Sequence, residues 1–308
     1  MSDVNTVQPP RKLPLGEMIS LSYSWFFRKF PDVLRICWLW LLICAALIGW
    51  ANWVQWSWIA PLMAGVKGGL PAQALVLQAS PIWRLLPVNL AGLVVMFAAV
   101  SIAVAWHRRI ILREPPGLSG SNIVTQDLWR YIGIGILIWL IVIVPVAAIL
   151  VSTGRLLLPA VLIGSSDAPA RIGLFLLLLV SLYVASIAVL LRLCMLLPAR
   201  ASGDIGLTFR GAWKRTRGNT WRLFWGLLAC TLAPMIMIEI VLVIALPPTG
   251  MLPFKPSPAA ALDGPVALTM TVMSTVLSVI YLLILPIGIG FLSHAYRHFF
   301  PDGLKAAD

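Results

Sequence analysis

Glu239 is the one ionisable residue deep inside a long apolar run of this 308-residue chain. It precedes Leu246, the end of that run, by seven positions, or about 10 Å at a helical rise of about 1.5 Å per residue. A carboxylate in hydrocarbon is costly, so the group must be neutral, paired, or beside a wet cavity. No Lys or Arg shares its depth. Thr271, Ser274, Thr275, Ser278 and Tyr281 place hydroxyls along one face of a later run, and Ser181 offers another donor. Glu239 is therefore expected to face that stripe, beside a kink at Pro234. One reading makes it a coupling site for a proton or cation. The other makes it a protonated acid hydrogen-bonded between helices.

The remaining reactive residue types point away from catalysis. His107, His294 and His298 all fall at the ends of apolar runs, and no Asp, Glu or Cys spacing completes a metal site around them. They are expected to touch headgroups. Cys37, Cys44, Cys194 and Cys230 lack metal-ligand spacing and read as small apolar fillers. The chain has no GxSxG, Walker or HExxH motif and no paired carboxylates in an aqueous loop. No catalytic residue, metal or cofactor is expected.

Composition dictates what positions these residues. The chain is 60% hydrophobic and 11% charged, with a mean hydropathy of +0.94. Soluble domains run at about 45–50% apolar and about 25% charged, so a water-soluble enzyme is excluded. Disordered and disulfide-stapled classes are excluded as well. A membrane helix needs about 20 apolar residues, and reading between charges gives six: Ile36–Trp58, Leu85–Trp106, Tyr131–Thr153, Ile172–Leu191, Leu223–Leu246 and Pro265–Leu292. Pro61 and Gly65 predict that the first helix stops short of Val66, whereas the fourth could continue past Arg192 to Leu197. Barrel strands would be shorter and would alternate. The expected fold is all-α: a polytopic bundle of six transmembrane helices in three hairpins. Residues 1–35 form an N-terminal segment, 36–292 the transmembrane domain and 293–308 a C-terminal tail.

Orientation follows from the basic residues, which resist translocation. Segments 1–35, 107–130, 192–222 and 293–308 hold 18 of the 23 Lys and Arg, leaving 5 for the three opposite loops. Both termini are thus expected in the cytoplasm. The formal charge of +12 reads as a topology signal and as attraction to anionic lipid headgroups, rather than as a nucleic-acid face. Trp50, Trp53, Trp56 and Trp58 mark one predicted interface, and Trp25, Trp106, Trp129, Trp213 and Trp221 the other. A cleaved signal peptide is not expected, because the first apolar run is too long and starts late.

The odd-numbered spans open on similar phrases: Asp32-Val33-Leu34-Arg35, Asp127-Leu128-Trp129-Arg130 and Asn219-Thr220-Trp221-Arg222. The even-numbered spans close on basic or His residues followed by proline. This is either a threefold repeat of hairpins or the same boundary chemistry selected three times. Residues 15–30 place Ile19, Tyr23, Phe26 and Phe30 on one helical face, with Glu17, Ser24 and Arg28 opposite. Residues 205–217 gather Phe209, Ala212, Trp213 and Thr216 beside a basic stripe of Arg210, Lys214 and Arg217. Both segments read as amphipathic cytoplasmic helices, lying in the headgroup plane, capping the bundle, or both. Arg210, Lys214 and Arg217, with Arg108 and Arg109, are the expected anionic-lipid contacts. Pro286-Ile287-Gly288-Ile289-Gly290 predicts a kink with close helix packing.

Two phrases, Ala105-Trp106-His107-Arg108-Arg109-Ile110-Ile111-Leu112-Arg113-Glu114 and Ala212-Trp213-Lys214-Arg215-Thr216-Arg217-Gly218-Asn219-Thr220-Trp221-Arg222-Leu223-Phe224, carry a resemblance. The chain resembles uncharacterised bacterial six-span inner-membrane proteins, similar to the membrane region attached to some glycerophosphodiester phosphodiesterases. The resemblance implies an all-helical fold in a bacterial cytoplasmic membrane. It does not imply diesterase activity, since the catalytic barrel of those enzymes has no counterpart in this sequence. The leading expectation is a non-enzymatic membrane protein concerned with envelope organisation or lipid association. A small transporter using Glu239 comes second, and a lipid-active enzyme third.

Overall fold

The computed structural model describes residues 12–67, 86–117, 120, 121, 123, 125–162, 168–245 and 264–301, and these are helical wherever they are regular. In chain order the helices are α1 (Leu15–Arg28), α2 (Phe30–Lys67), α3 (Leu86–Ile111), α4 (Gln126–Leu162), α5 (Ala168–Leu193), α6 (Leu196–Ala201), α7 (Phe209–Arg215), α8 (Thr220–Ala245) and α9 (Gly264–Phe299). Six stretches are long and apolar enough to cross a membrane: Phe30–Ser57, Leu86–Ile111, Gln126–Ser152, Ala170–Ala201, Thr220–Leu242 and Leu268–Phe299. The chain is a polytopic all-helical bundle.

The helices outrun the charge-free stretches at their basic ends. α2 takes in Asp32 and Arg35, and α8 takes in Arg222. A missing charge marks where oil begins; it does not mark where backbone hydrogen bonding starts. The expected stop near Pro61 is corrected, because α2 runs through that residue to Lys67. Proline removes one hydrogen bond, a loss that long membrane helices tolerate. The fourth span does continue past Arg192, turning after Leu193 and resuming as α6.

α9 is the hub, packing against α1, α2, α3 and α8, while α4 and α5 form a hairpin to one side. α8 and α9 come very close where glycine permits it. A Cβ on Gly226 would lie 2.0 Å from Phe291 Cζ, and one on Gly288 would lie 2.4 Å from Thr231 Cγ2. Contact of this kind supplies the dispersion that holds helices together in lipid. The expected Pro286–Gly290 packing site is real, within a helix that stays continuous.

The four basic segments meet at one end of the bundle, hereafter the collar. There α1 lies against α9 and α8 with Met18, Ser22 and Phe26 buried, so its apolar face is turned into the protein. Tyr23 Oη donates to Ala229 O at 2.8 Å, tying α1 to α8. Burial pushes the Tyr23 phenol above its ordinary range, and Cys230 nearby adds to the effect. α7 is capped by Thr208, whose hydroxyl accepts from Gly211 N at 3.1 Å. Gly203 and Gly218, both with φ near +80°, turn the chain after α6 and α7. All four cysteines are buried and unpaired.

Candidate functional site

The collar sorts its cations into two classes. Arg108, in the last turn of α3, is clamped by two carboxylates. Its Nε and Nη2 donate to Glu114 at 2.8 and 2.6 Å, and its Nη1 donates to Asp127 Oδ2 at 2.5 Å. Arg109 reaches Asp32 Oδ2 through Nε and Nη2 at 3.0 and 2.8 Å. The exit of the first hairpin is thereby fastened to the opening phrases of the first and second. Planar guanidinium forks suit this multidentate role. The two arginines expected to meet lipid phosphates are held by acids of the protein itself.

The third opening phrase works differently. Asn219 Oδ1 accepts from Leu13 N at 2.9 Å, and Arg222 Nη1 donates to Leu13 O at 2.7 Å. This phrase anchors the N-terminal strap before α1 in place of an arginine. Asp204 is a second organiser, accepting from Tyr296 Oη at 2.7 Å and from Gly206 N at 2.9 Å. Arg200 donates to Asp204 O and Leu207 O on the same turn. Arg215 donates to Phe299 O at 3.0 Å. Arg192, in the last turn of α5, donates from Nε to Thr220 Oγ1 at 2.9 Å, and its guanidinium carbon lies 4.3 Å from the Trp213 ring centroid. Arg210, Lys214 and Arg217 are exposed, as the stripe pattern required, while Ala212 and Thr216 are buried.

Two of the three histidines need correcting. His107 is fully buried and His294 is 6% exposed, so neither reaches headgroups. His107 Nδ1 lies 2.8 Å from Ser293 Oγ, and Ser293 Oγ donates to Ile289 O at 2.9 Å. With the hydroxyl proton committed to that carbonyl, His107 Nδ1 is the donor. His107 also packs on the Tyr131 ring, and His294 packs on Trp25. Trp106 is corrected too: at 1% exposure it is core, not belt. Among the described residues no three His, Cys, Asp or Glu side chains gather as a metal site would require.

No protein-family model, curated protein or solved structure matches the chain.

Glu239 does meet the hydroxyl stripe, at one residue only. Tyr281 Oη donates to Glu239 Oε1, and the carboxylate stands on the exposed side of the α8–α9 pair. The rest of the stripe is divided. Thr275 Oγ1 accepts from Asn52 Nδ2 of α2 at 3.2 Å. Ser274 and Ser278 donate to carbonyls one turn back on α9, and Thr271 is buried. At 100° per residue, positions 275 and 281 stand about 120° apart, so one neighbour cannot collect both. A shallow groove of about 290 Å³ lies alongside, lined by Met237, Ile238, Val241, Leu242 and Ile280. Its lining is apolar.

The collar network (Asp204, Asn219, Tyr296 and Arg192) is what sequence reasoning missed. Asn219 was marked by its place in the third opening phrase. Arg192 was marked as the basic exit of the fourth span, and Asp204 and Tyr296 carried no local signal.

Proposed function

We propose that this is a non-catalytic protein of a bacterial inner membrane, with both termini in the cytoplasm, whose collar gathers anionic lipid. The observation that carries the reading is the exposed stripe of Arg210, Lys214 and Arg217 on and just after α7, next to a Trp213 that is 40% exposed. Aromatic rings at headgroup depth beside uncompensated cations are the combination that anionic interfaces attract. Each such cation contributes about 1 kcal/mol near an anionic surface. The reading is also supported by how fully the chemically capable groups are committed elsewhere. His107 and His294 are in the core, and Asp32, Asp127 and Glu114 are neutralised by arginine.

The test reconstitutes the full chain in mixed phosphatidylglycerol and phosphatidylcholine membranes and extracts it in mild detergent. Phosphatidylglycerol should be enriched among the retained lipids, and the triple variant R210Q/K214Q/R217Q should lose most of that enrichment. Equal headgroup ratios in protein and bulk would overturn the proposal. A second reading, transport coupled through Glu239, has the Tyr281 hydrogen bond in its favour. Proton or cation flux into protein-containing vesicles, abolished by E239Q, would establish it over the first.

A further inference from the structure

The ends of the first and second hairpins carry the same cation in opposite circumstances. Arg108 lies in the last turn of α3, ahead of the phrase beginning Asp127, and Arg192 in the last turn of α5, ahead of the phrase beginning Asn219. In the first corner the acid neutralises the arginine. In the second, an amide stands at the acid's position and Arg192 donates instead to the neighbouring hydroxyl of Thr220. No ion pair reaches Arg192 among the described residues, and the exposed Arg210, Lys214 and Arg217 on and beyond α7 add positive field. Its guanidinium is nevertheless fixed, stacked on Trp213 and steered through Nε. That leaves the Nη donors as a planar fork, preorganised for two oxygens of one tetrahedral anion.

We propose that Arg192, Trp213 and Thr220 form a seat for the phosphodiester headgroup of one anionic lipid. Its acyl chains run along the face of α5 in line with Arg192, where Leu178 is 45% and Leu174 59% exposed. The membrane is the source of this phosphate because Arg192 lies in the last turn of the long apolar helix α5 and its stacking partner is a half-exposed indole. The inference rests on the collar reading above and sharpens it from a diffuse field to one site.

Native mass spectrometry of the detergent-solubilised chain, titrated with phosphatidylglycerol or phosphatidylcholine, tests it. The wild type should hold one phosphatidylglycerol with at least about tenfold preference, because both lipids offer the phosphodiester but phosphatidylcholine adds an ammonium that the un-neutralised Arg192 repels. R192Q should bring that preference down to the phosphatidylcholine level. T220D should do the same while leaving the arginine in place, because it puts a carboxylate on the side chain that Arg192 already contacts, as Asp127 and Glu114 do for Arg108. The triple variant R210Q/K214Q/R217Q should keep the single lipid. If R192Q and T220D melt like the wild type and still retain the lipid, the seat is overturned. If the triple variant alone loses enrichment, the collar reading stands and only the seat falls. A wild type without headgroup preference sinks both. Displacement of the lipid by millimolar glycerol 3-phosphate would overturn a membrane source.

Discussion

The collar and the opposite half of the spans are built from similarly apolar residues, yet they are packed by different rules. At the collar, Trp106, Phe291, Tyr296, Met195 and Leu223 are buried to within 1% of complete enclosure. Across the α4–α5 hairpin, by contrast, Trp139, Val151, Leu174 and Tyr183 are all more than half exposed. The difference lies in the solvent. Lipid tails are as apolar as leucine, so burying leucine among helices gains nothing there unless the fit is close. Where amphipathic segments reach the interface, water makes burial favourable again at about 25 cal/mol per Å². Membrane helices can thus stand apart in oil while their interfacial ends pack like a soluble core.

The largest effect expected from this contrast is at Phe291. Phe291→Ala should cost about 3–5 kcal/mol if the collar behaves as a core, whereas Leu177→Ala on α5 should stay within about 0.5 kcal/mol. Denaturant titration of the two variants in one detergent measures both, and equal losses would erase the distinction. Next comes Gly226→Ala, which drives a methyl into the Phe291 ring and should cost about 1–3 kcal/mol. Adding Phe291→Leu should make the double variant more stable than the summed singles, since the two sites share one space. Simple additivity would place the close approach of α8 and α9 elsewhere. The smallest effect belongs to the far half: Tyr281→Phe removes the bond to Glu239 and should cost under about 1 kcal/mol, as interhelical hydrogen bonds in membranes usually do. A thermal shift as large as that of Gly226→Ala would show that the far half is more tightly held than its exposure indicates.

Much of the collar could be located from sequence but not wired. The opening phrases Asp32–Arg35, Asp127–Arg130 and Asn219–Arg222 flagged the right places, since each contributes a residue that joins elements distant in the chain. Which partner each would meet was not legible, because the partners lie 19 to 206 positions away and are brought in by the packing of other elements. His107 and His294 were misread for a related reason. A boundary position in sequence says how deep a residue sits, and says nothing about whether it faces protein or lipid. Glu239 found Tyr281 but not Thr275, because a stripe on one helix spreads over more than one neighbour.

By itself the sequence determined the solvent of each segment. Apolar runs long enough to cross hydrocarbon had to be helical, since no water is present there to satisfy the backbone, and the crowding of Lys and Arg into four alternate segments determined that these share an end. Only the tertiary structure decided which of those cations are neutralised, because that depends on angstrom-scale placement of acids from other hairpins. Arg108 met Asp127 and Glu114; Arg192 met a hydroxyl and an indole, and no acid among the described residues.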